Sequence, residues 1–175
     1  MIKHPLLYKM IMFDADGTLR RCTVPGQPCP NNPGEWELMP NVKETLARYD
    51  LKRIGLYVVS NQGGIALGYL TETMALDLIY DLCEQIDPDL PHGRYAAYIC
   101  PHSPNDGCPC RKPSPYLLLQ VLTQEWDERK YFDDYDPPKL SECLYVGDQD
   151  TDRQTAERAG IAFMWANDFF GWDTP

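Results

Sequence analysis

Apolar residues fall along the chain in blocks of two kinds. "YKMIMF" (8–13), "IGLYVVS" (54–60), "YAAYI" (95–99), "CLYV" (143–146) and "IAFMW" (161–165) are short apolar runs rich in β-branched and aromatic residues. Runs that are apolar on both faces suit strands buried in a parallel sheet. Between them lie longer stretches with helical spacing. In "LTETMALDLIYDLCEQI", Leu70, Met74, Leu78, Leu82 and Ile86 recur every four positions, and Thr71 stands where an N-cap belongs. "SPYLLLQVLTQEW" predicts a helix capped by Ser114 with Pro115 at its first helical position. "DTDRQTAERAG" predicts a helix closed by Gly160 in the left-handed region. Strands and helices taking turns predict an α/β fold with a doubly wound, mainly parallel sheet.

Residues 22–41, "CTVPGQPCPNNPGEWELMPN", are too rich in Pro, Gly and Asn for a helix and predict a loop or short hairpin beside the end of the first strand. With 175 residues, 43% of them hydrophobic, the chain can build one good core, so a single domain over 1–175 is expected. The formal net charge of −10 sets the chain against nucleic-acid phosphates and anionic membranes. No apolar stretch approaches the roughly 20 residues that span a bilayer. The start, "MIKHPLLYKMIMF", has no small-residue cleavage site after a long apolar core, so a soluble, cytoplasmic protein is expected. Seven cysteines cannot all pair within one molecule, which favours metal ligation or buried thiols over disulfides.

The candidate chemistry sits at the ends of the predicted strands. "MIMFDADGTL" (10–19) puts Asp14 and Asp16 just beyond the first strand, where ligands of open α/β sheets bind. Alternation along an extended chain sends both to one side. Two close carboxylates need a cation beside them or a proton on one of them. Either remedy is useful: a metal-neutralised Asp can attack phosphorus while a protonated neighbour supplies the leaving oxygen. Turn formation alone would also place Asp and Gly here. After the second strand, "VVSNQGG" places Ser60 and the following N–H groups where a helix is expected to begin, a ready site for a phosphate oxygen. Lys112 in "CRKPSP" follows the third, and "YVGDQDTD" brings Asp148, Asp150 and Asp152 after the fourth. Any one of these has a bland explanation as a cap or a surface charge; four in order at successive strand ends do not.

This ordered set resembles the haloacid dehalogenase (HAD) superfamily of phosphotransferases over almost the whole chain. Asp14 to Thr18 match its Asp-x-Asp-Gly-Thr motif, Ser60 its second-motif hydroxyl, Lys112 its lysine, and Gly147, Asp148 and Asp152 its Gly-Asp-x-x-x-Asp. The resemblance implies Asp14 as the nucleophile that becomes an aspartyl phosphate and Asp16 as general acid, then base. It implies Ser60 and Lys112 as holders of the phosphoryl group. It also implies a Mg²⁺ site made by Asp14, the Asp16 main-chain carbonyl and Asp148, supported by Asp152, with Asp150 in the variable part of the motif.

A second constellation, "CPHSPNDGCPC", offers Cys100, His102, Cys108 and Cys110. Four N/S ligands suit a closed tetrahedral Zn²⁺ site that would stiffen the loop 100–110 ahead of Lys112; by spacing alone they could also form a disulfide or stay free thiols. Cys22 and Cys29 read as free thiols, Cys83 and Cys143 as packing residues. With "SNQGGIALGYLTE", "CPHSP", "CPCRKPSPYLLL" and "VGDQDTD", the chain resembles the zinc-loop subgroup that contains heptose 1,7-bisphosphate 7-phosphatases and histidinol-phosphate phosphatases. By that resemblance Asn61 and Arg111 would contact substrate. Two positions depart from it: Ala15 stands where those enzymes generally carry Arg, and Leu67 where the heptose enzymes carry a basic residue.

The expectation is therefore a capless, Rossmann-like HAD phosphatase acting on a small phosphate ester such as a sugar (bis)phosphate or histidinol phosphate. The alternative is a polynucleotide 3'-phosphatase, because "PNNPGEWELMPNV" resembles that part of end-processing kinases. The 22–41 flap and the zinc loop are the expected walls of the site, with Trp36 either touching substrate or anchoring the flap. The aromatics of "FMWANDFFGW" either close the core or make a dimer contact, so a monomer or weak homodimer is expected, with no membrane partner.

Overall fold

The computed structural model describes residues 7–129 and 136–172; the first residues of the opening segment, on which the expectation of no leader partly rests, lie outside that range. Five strands form one sheet: β1 (Met10–Phe13), β4 (Leu56–Asn61), β5 (Tyr95–Cys100), β6 (Cys143–Gly147) and β7 (Ala162–Trp165). Their spatial order is β5-β4-β1-β6-β7 and every pairing is parallel, with Met12 beside Tyr57 on one flank of β1 and beside Tyr145 on the other. All five coincide with the apolar runs to within two residues at either end. The hairpin expected within 22–41 begins two residues earlier, with β2 (Arg20–Cys22) pairing antiparallel with β3 (Trp36–Leu38).

Strand parity divides the core in two. Ile11, Phe13, Leu56, Val58, Leu144 and Val146 face α1 (Val42–Leu46), α3 (Glu72–Ile86) and α6 (Ala166–Phe170). Met10, Met12, Tyr57, Val59, Cys143 and Tyr145 face α4 (Tyr116–Arg129) and α5 (Asp150–Ala159). A short α2 (Leu51–Ile54) leads into β4. Each large apolar side chain buried this way contributes about 1.5–3 kcal/mol of transfer free energy. Phe169 and Phe170 pack on Phe13 with ring centroids 5.5 and 6.3 Å away, so these aromatics close the core.

The helices are capped much as expected. Thr71 Oγ1 accepts from the Met74 N–H at 3.2 Å, and Gly160 ends α5 at φ 74°. Two expectations shift. Pro115 is not the first helical residue of α4 but the residue before it, its carbonyl accepting from Leu119 N at 3.0 Å. Met74 is exposed, and the buried face of α3 is Ala75, Leu78, Ile79, Leu82, Cys83 and Ile86. A strict four-residue repeat drifts about 40° per step around a 3.6-residue helix, so it cannot stay on one face over four turns.

Candidate active site and metal centres

The chain runs from β1 outward through β4 and β5, then returns to the other flank of β1 as β6 and β7. The crevice between β1 and β6 is thus the topological switch point, where α/β sheets bind ligands at the carboxyl ends of their strands. Asp14 leaves β1 there, its backbone N–H donating to Val146 O at 2.9 Å, and Asp148 follows β6 on the other wall. Carboxylate oxygens of Asp14, Asp148 and Asp152 all lie within 4.8 Å of one another. Three anionic oxygens in so small a space suit a hard divalent cation such as Mg²⁺.

The glycines of the two motifs make this convergence possible. Gly17 has φ +94°, and a Cβ there would run into the Asp148 carboxylate; a Cβ on Gly147 would run into Asp152. Thr18 Oγ1 donates to Asp148 Oδ1 at 3.2 Å.

Lys112 arrives from the loop after β5 and is buried at 6% exposure. Its Nζ donates to Asp14 Oδ1 at 2.5 Å, to Asp152 Oδ1 at 2.6 Å and towards Tyr145 Oη and Val59 O at 3.0 and 3.2 Å. Burial would lower the lysine, but Asp14, Tyr145 and Asp152 outweigh it and hold the ammonium well above its ordinary range. Burial pushes the Asp14 carboxyl up to about 8, with Lys112 pulling against it and Asp152 adding to it. Burial, then Asp152, also raises Asp148. The pocket thus holds more negative charge than its one lysine offsets, which is the electrostatic demand a divalent cation meets.

Asp16 lies on the flap side of Asp14. Its Oδ1 accepts from Arg20 Nε and its Oδ2 from Gln62 Nε2, both at 2.8 Å. Ser60, buried at the end of β4, accepts a second bond from Gln62 Nε2, also at 2.8 Å. No helix begins after Ser60, contrary to the sequence expectation. Residues 62–69 form turns around Gly63, Gly64 and Gly68, and α3 starts only at Glu72. Asn61 spends its amide on the Lys112 backbone, accepting from its N–H at 3.0 Å and donating to its carbonyl at 3.3 Å. Arg111 Nη1 donates to His102 O at 2.9 Å. Asp150 is exposed and pairs with Arg153 at 2.6 Å. Trp36 is buried under the flap, its ring centroid 5.9 Å from the Arg20 guanidinium carbon, which is the anchoring alternative.

Sequence reasoning passed over Arg20, Gln62 and Tyr145. Only Gln62 carried a signal, its place two residues beyond Ser60 in the same strand-end motif.

Cys100, His102, Cys108 and Cys110 converge below the loop that carries Arg111. Their closest Sγ and Nδ1 separations run from 3.3 to 3.7 Å. Bond lengths of about 2.0–2.3 Å to zinc imply tetrahedron edges of ~3.3–3.8 Å, whereas a disulfide would bring two sulfurs to about 2.05 Å. The donor set and its spacing therefore fit a tetrahedral ion, and none of the seven cysteines is in a disulfide. Burial, then Cys100 and Cys108, pushes the Cys110 thiol up to about 12, a cost that thiolate ligation would remove.

Comparison with known proteins agrees with this geometry. The family model described as polynucleotide kinase 3 phosphatase matches residues 9–170. The D-glycero-beta-D-manno-heptose-1,7-bisphosphate 7-phosphatase of Bordetella bronchiseptica is 31% identical over 154 residues, covering 88% of this chain and 78% of that protein. The histidine biosynthesis bifunctional protein HisB of Legionella pneumophila is 26% identical over 170 residues, covering 94% of this chain and 43% of that one. Among solved structures, the D,D-heptose 1,7-bisphosphate phosphatase from B. bronchiseptica, complexed with magnesium and phosphate, superposes with a TM-score of 0.68 at 28% identity, covering 89% of this chain and 78% of that one. Among the described residues no helix is long and apolar enough to cross a membrane. By its matched model, its relatives and its fold, the chain belongs to the polynucleotide kinase 3 phosphatase family and is a HAD-like phosphatase.

Proposed function

We propose that this chain, as a single catalytic domain, hydrolyses a small phosphate monoester by way of a phosphoryl group carried on Asp14. The observation that carries the reading is the Asp14 carboxylate at the switch point, pinned by Lys112 and within 4.8 Å of the Asp148 and Asp152 oxygens. Asp14 attacks phosphorus. Asp16 gives a proton to the departing oxygen, then takes one from the water that releases phosphate. Ser60 Oγ holds a phosphoryl oxygen. Lys112 fixes the attacking carboxylate and, with Asn61 clamping its backbone, keeps that atom in line. Arg111, with Nε and Nη2 beyond its bond to His102, faces the rest of the ester. Asp14, the Asp16 carbonyl and Asp148 would hold Mg²⁺, which would supply the positive charge needed when a phosphate meets this acidic rim. Cys100, His102, Cys108 and Cys110 would hold Zn²⁺, which would stiffen the loop that delivers Arg111 and Lys112.

One relative is named for a sugar bisphosphate and another for histidine biosynthesis, and a net charge of −10 disfavours a polyanion, so a sugar (bis)phosphate or histidinol phosphate is the proposed substrate class. The name of the matched family supports a second reading, a 3'-phosphorylated nucleic-acid end. Seven cysteines without a disulfide suit a reducing compartment such as the cytoplasm. Phosphate release from a heptose bisphosphate, histidinol phosphate and a 3'-phosphorylated oligonucleotide tests the choice. Preference for either small ester supports the first reading, and preference for the oligonucleotide replaces it with the second.

A further inference from the structure

Arg20 is among the largest side chains wholly shut off from solvent, and the motif does not account for it. A buried guanidinium is costly unless it is paired, and this one is held on three sides. Nε donates to Asp16 Oδ1 at 2.8 Å and Nη2 approaches Oδ2 at 3.5 Å, while Nη1 donates to the Leu78 carbonyl at 3.0 Å. The Trp36 ring lies beside it, and its backbone is tied to the catalytic loop by Arg20 N to Ala15 O at 3.0 Å and Gly17 N to Arg20 O at 2.8 Å. From the opposite side, buried Gln62 spends both N–H groups of its amide, one on Asp16 Oδ2 and one on Ser60 Oγ.

We infer that Arg20 and Gln62 are positioning residues that fix the Asp16 carboxyl for proton transfer, an inference resting on the reading of Asp16 as acid and base. Arg20 anchors Oδ1 through Nε and reaches Oδ2 through Nη2, while Gln62 holds Oδ2 beside the hydroxyl that holds the phosphoryl group, so the carboxyl is fixed in place. As the Asp14–phosphorus bond forms and the ester P–O bond breaks, the Asp16 carboxyl proton passes to the leaving oxygen, giving the alcohol and an Asp16 carboxylate. When water attacks phosphorus and the bond to Asp14 breaks, Asp16 takes the water's proton, which restores the Asp16 carboxyl and the Asp14 carboxylate and releases phosphate.

Acid assistance matters more as the leaving group becomes poorer, whereas general damage to a site lowers all substrates alike. The test therefore compares kcat/KM for an alkyl phosphate and for dinitrophenyl phosphate in Arg20→Met, Gln62→Leu and Asp16→Asn, with folding checked by circular dichroism. The expected result is a loss of about 10²-fold on the alkyl ester in each variant against less than about fivefold on the dinitrophenyl ester. Should Arg20→Met not fold, Gln62→Leu decides. If Asp16→Asn separates the two esters and the folded positioning variants do not, the inference is overturned and the acid–base reading stands. If Asp16→Asn treats both esters alike, the acid–base reading falls and takes the inference with it.

Discussion

Lys112 Nζ lies 2.5 Å from Asp14 Oδ1 although 98 residues separate them along the chain. The lysine joins the Cys/His loop after β5 to the first strand, and through Asp152 it also joins the fourth motif at 2.6 Å. One buried ammonium thus ties together three of the four strand ends that build the site.

Removing that ammonium leaves two carboxylates buried without their partner, a change that costs about 3–5 kcal/mol. Lys112→Met is expected to lower unfolding stability by that order in EDTA and to recover part of it when Mg²⁺ is added. Urea denaturation in the two buffers measures this; an unchanged midpoint in EDTA would remove the structural role given to Lys112.

Because the Asp14 carboxyl is pushed up to about 8 by burial, against an ordinary 3.8, the folded chain binds more protons than the unfolded one between those values. This group alone therefore makes metal-free stability fall as pH rises through that window, and a cation must displace its proton to bind. The Mg²⁺-induced rise in melting temperature is expected to be small near pH 6 and to grow towards about pH 8. A rise independent of pH would count against a protonated Asp14.

Gly17→Ala introduces a Cβ against the Asp148 carboxylate at a positive φ. The variant should fold with a modest penalty of about 1–2 kcal/mol and need roughly 10–100-fold more Mg²⁺ for half-maximal activity. Titration of phosphate release with Mg²⁺ reads this directly, and a wild-type midpoint would separate Gly17 from the metal site.

Metal analysis of the purified protein should return about one zinc per chain. Cys110→Ser should lose it and, because Arg111 and Lys112 follow at once, lower kcat by up to about 10²-fold. Full occupancy in Cys110→Ser, or none in the wild type, would refute the zinc loop.

Much of this was legible in the sequence, for reasons that also mark the limit. Strands of a parallel sheet are buried on both faces, so "MIMF" and "CLYV" stand out as unbroken apolar runs, and acids just beyond them fall at the ligand edge whatever the details of packing. Arg20 was not legible. An Arg-Arg pair in a Pro/Gly-flanked hairpin looks like solvated charge, and only the burial of one of them against Trp36 and Leu78 makes it a partner of Asp16. In the sequence Tyr145 reads as one more apolar strand residue, since its hydroxyl meets Lys112 across a gap of 33 residues. Ser60 was found, but not the turns that follow it. The Gly63-Gly64 pair favours turns over a helix start, and here that local signal prevails over the phosphate-site pattern.

The central claim is that Asp14 captures the phosphoryl group. Rapid acid quench of the enzyme with phosphorus-labelled p-nitrophenyl phosphate and Mg²⁺, followed by peptide mapping, tests it most directly. Label on the peptide containing Asp14, lost in Asp14→Asn along with turnover, is the expected result. Turnover with the label on another residue, or wild-type turnover by Asp14→Asn, would contradict the account.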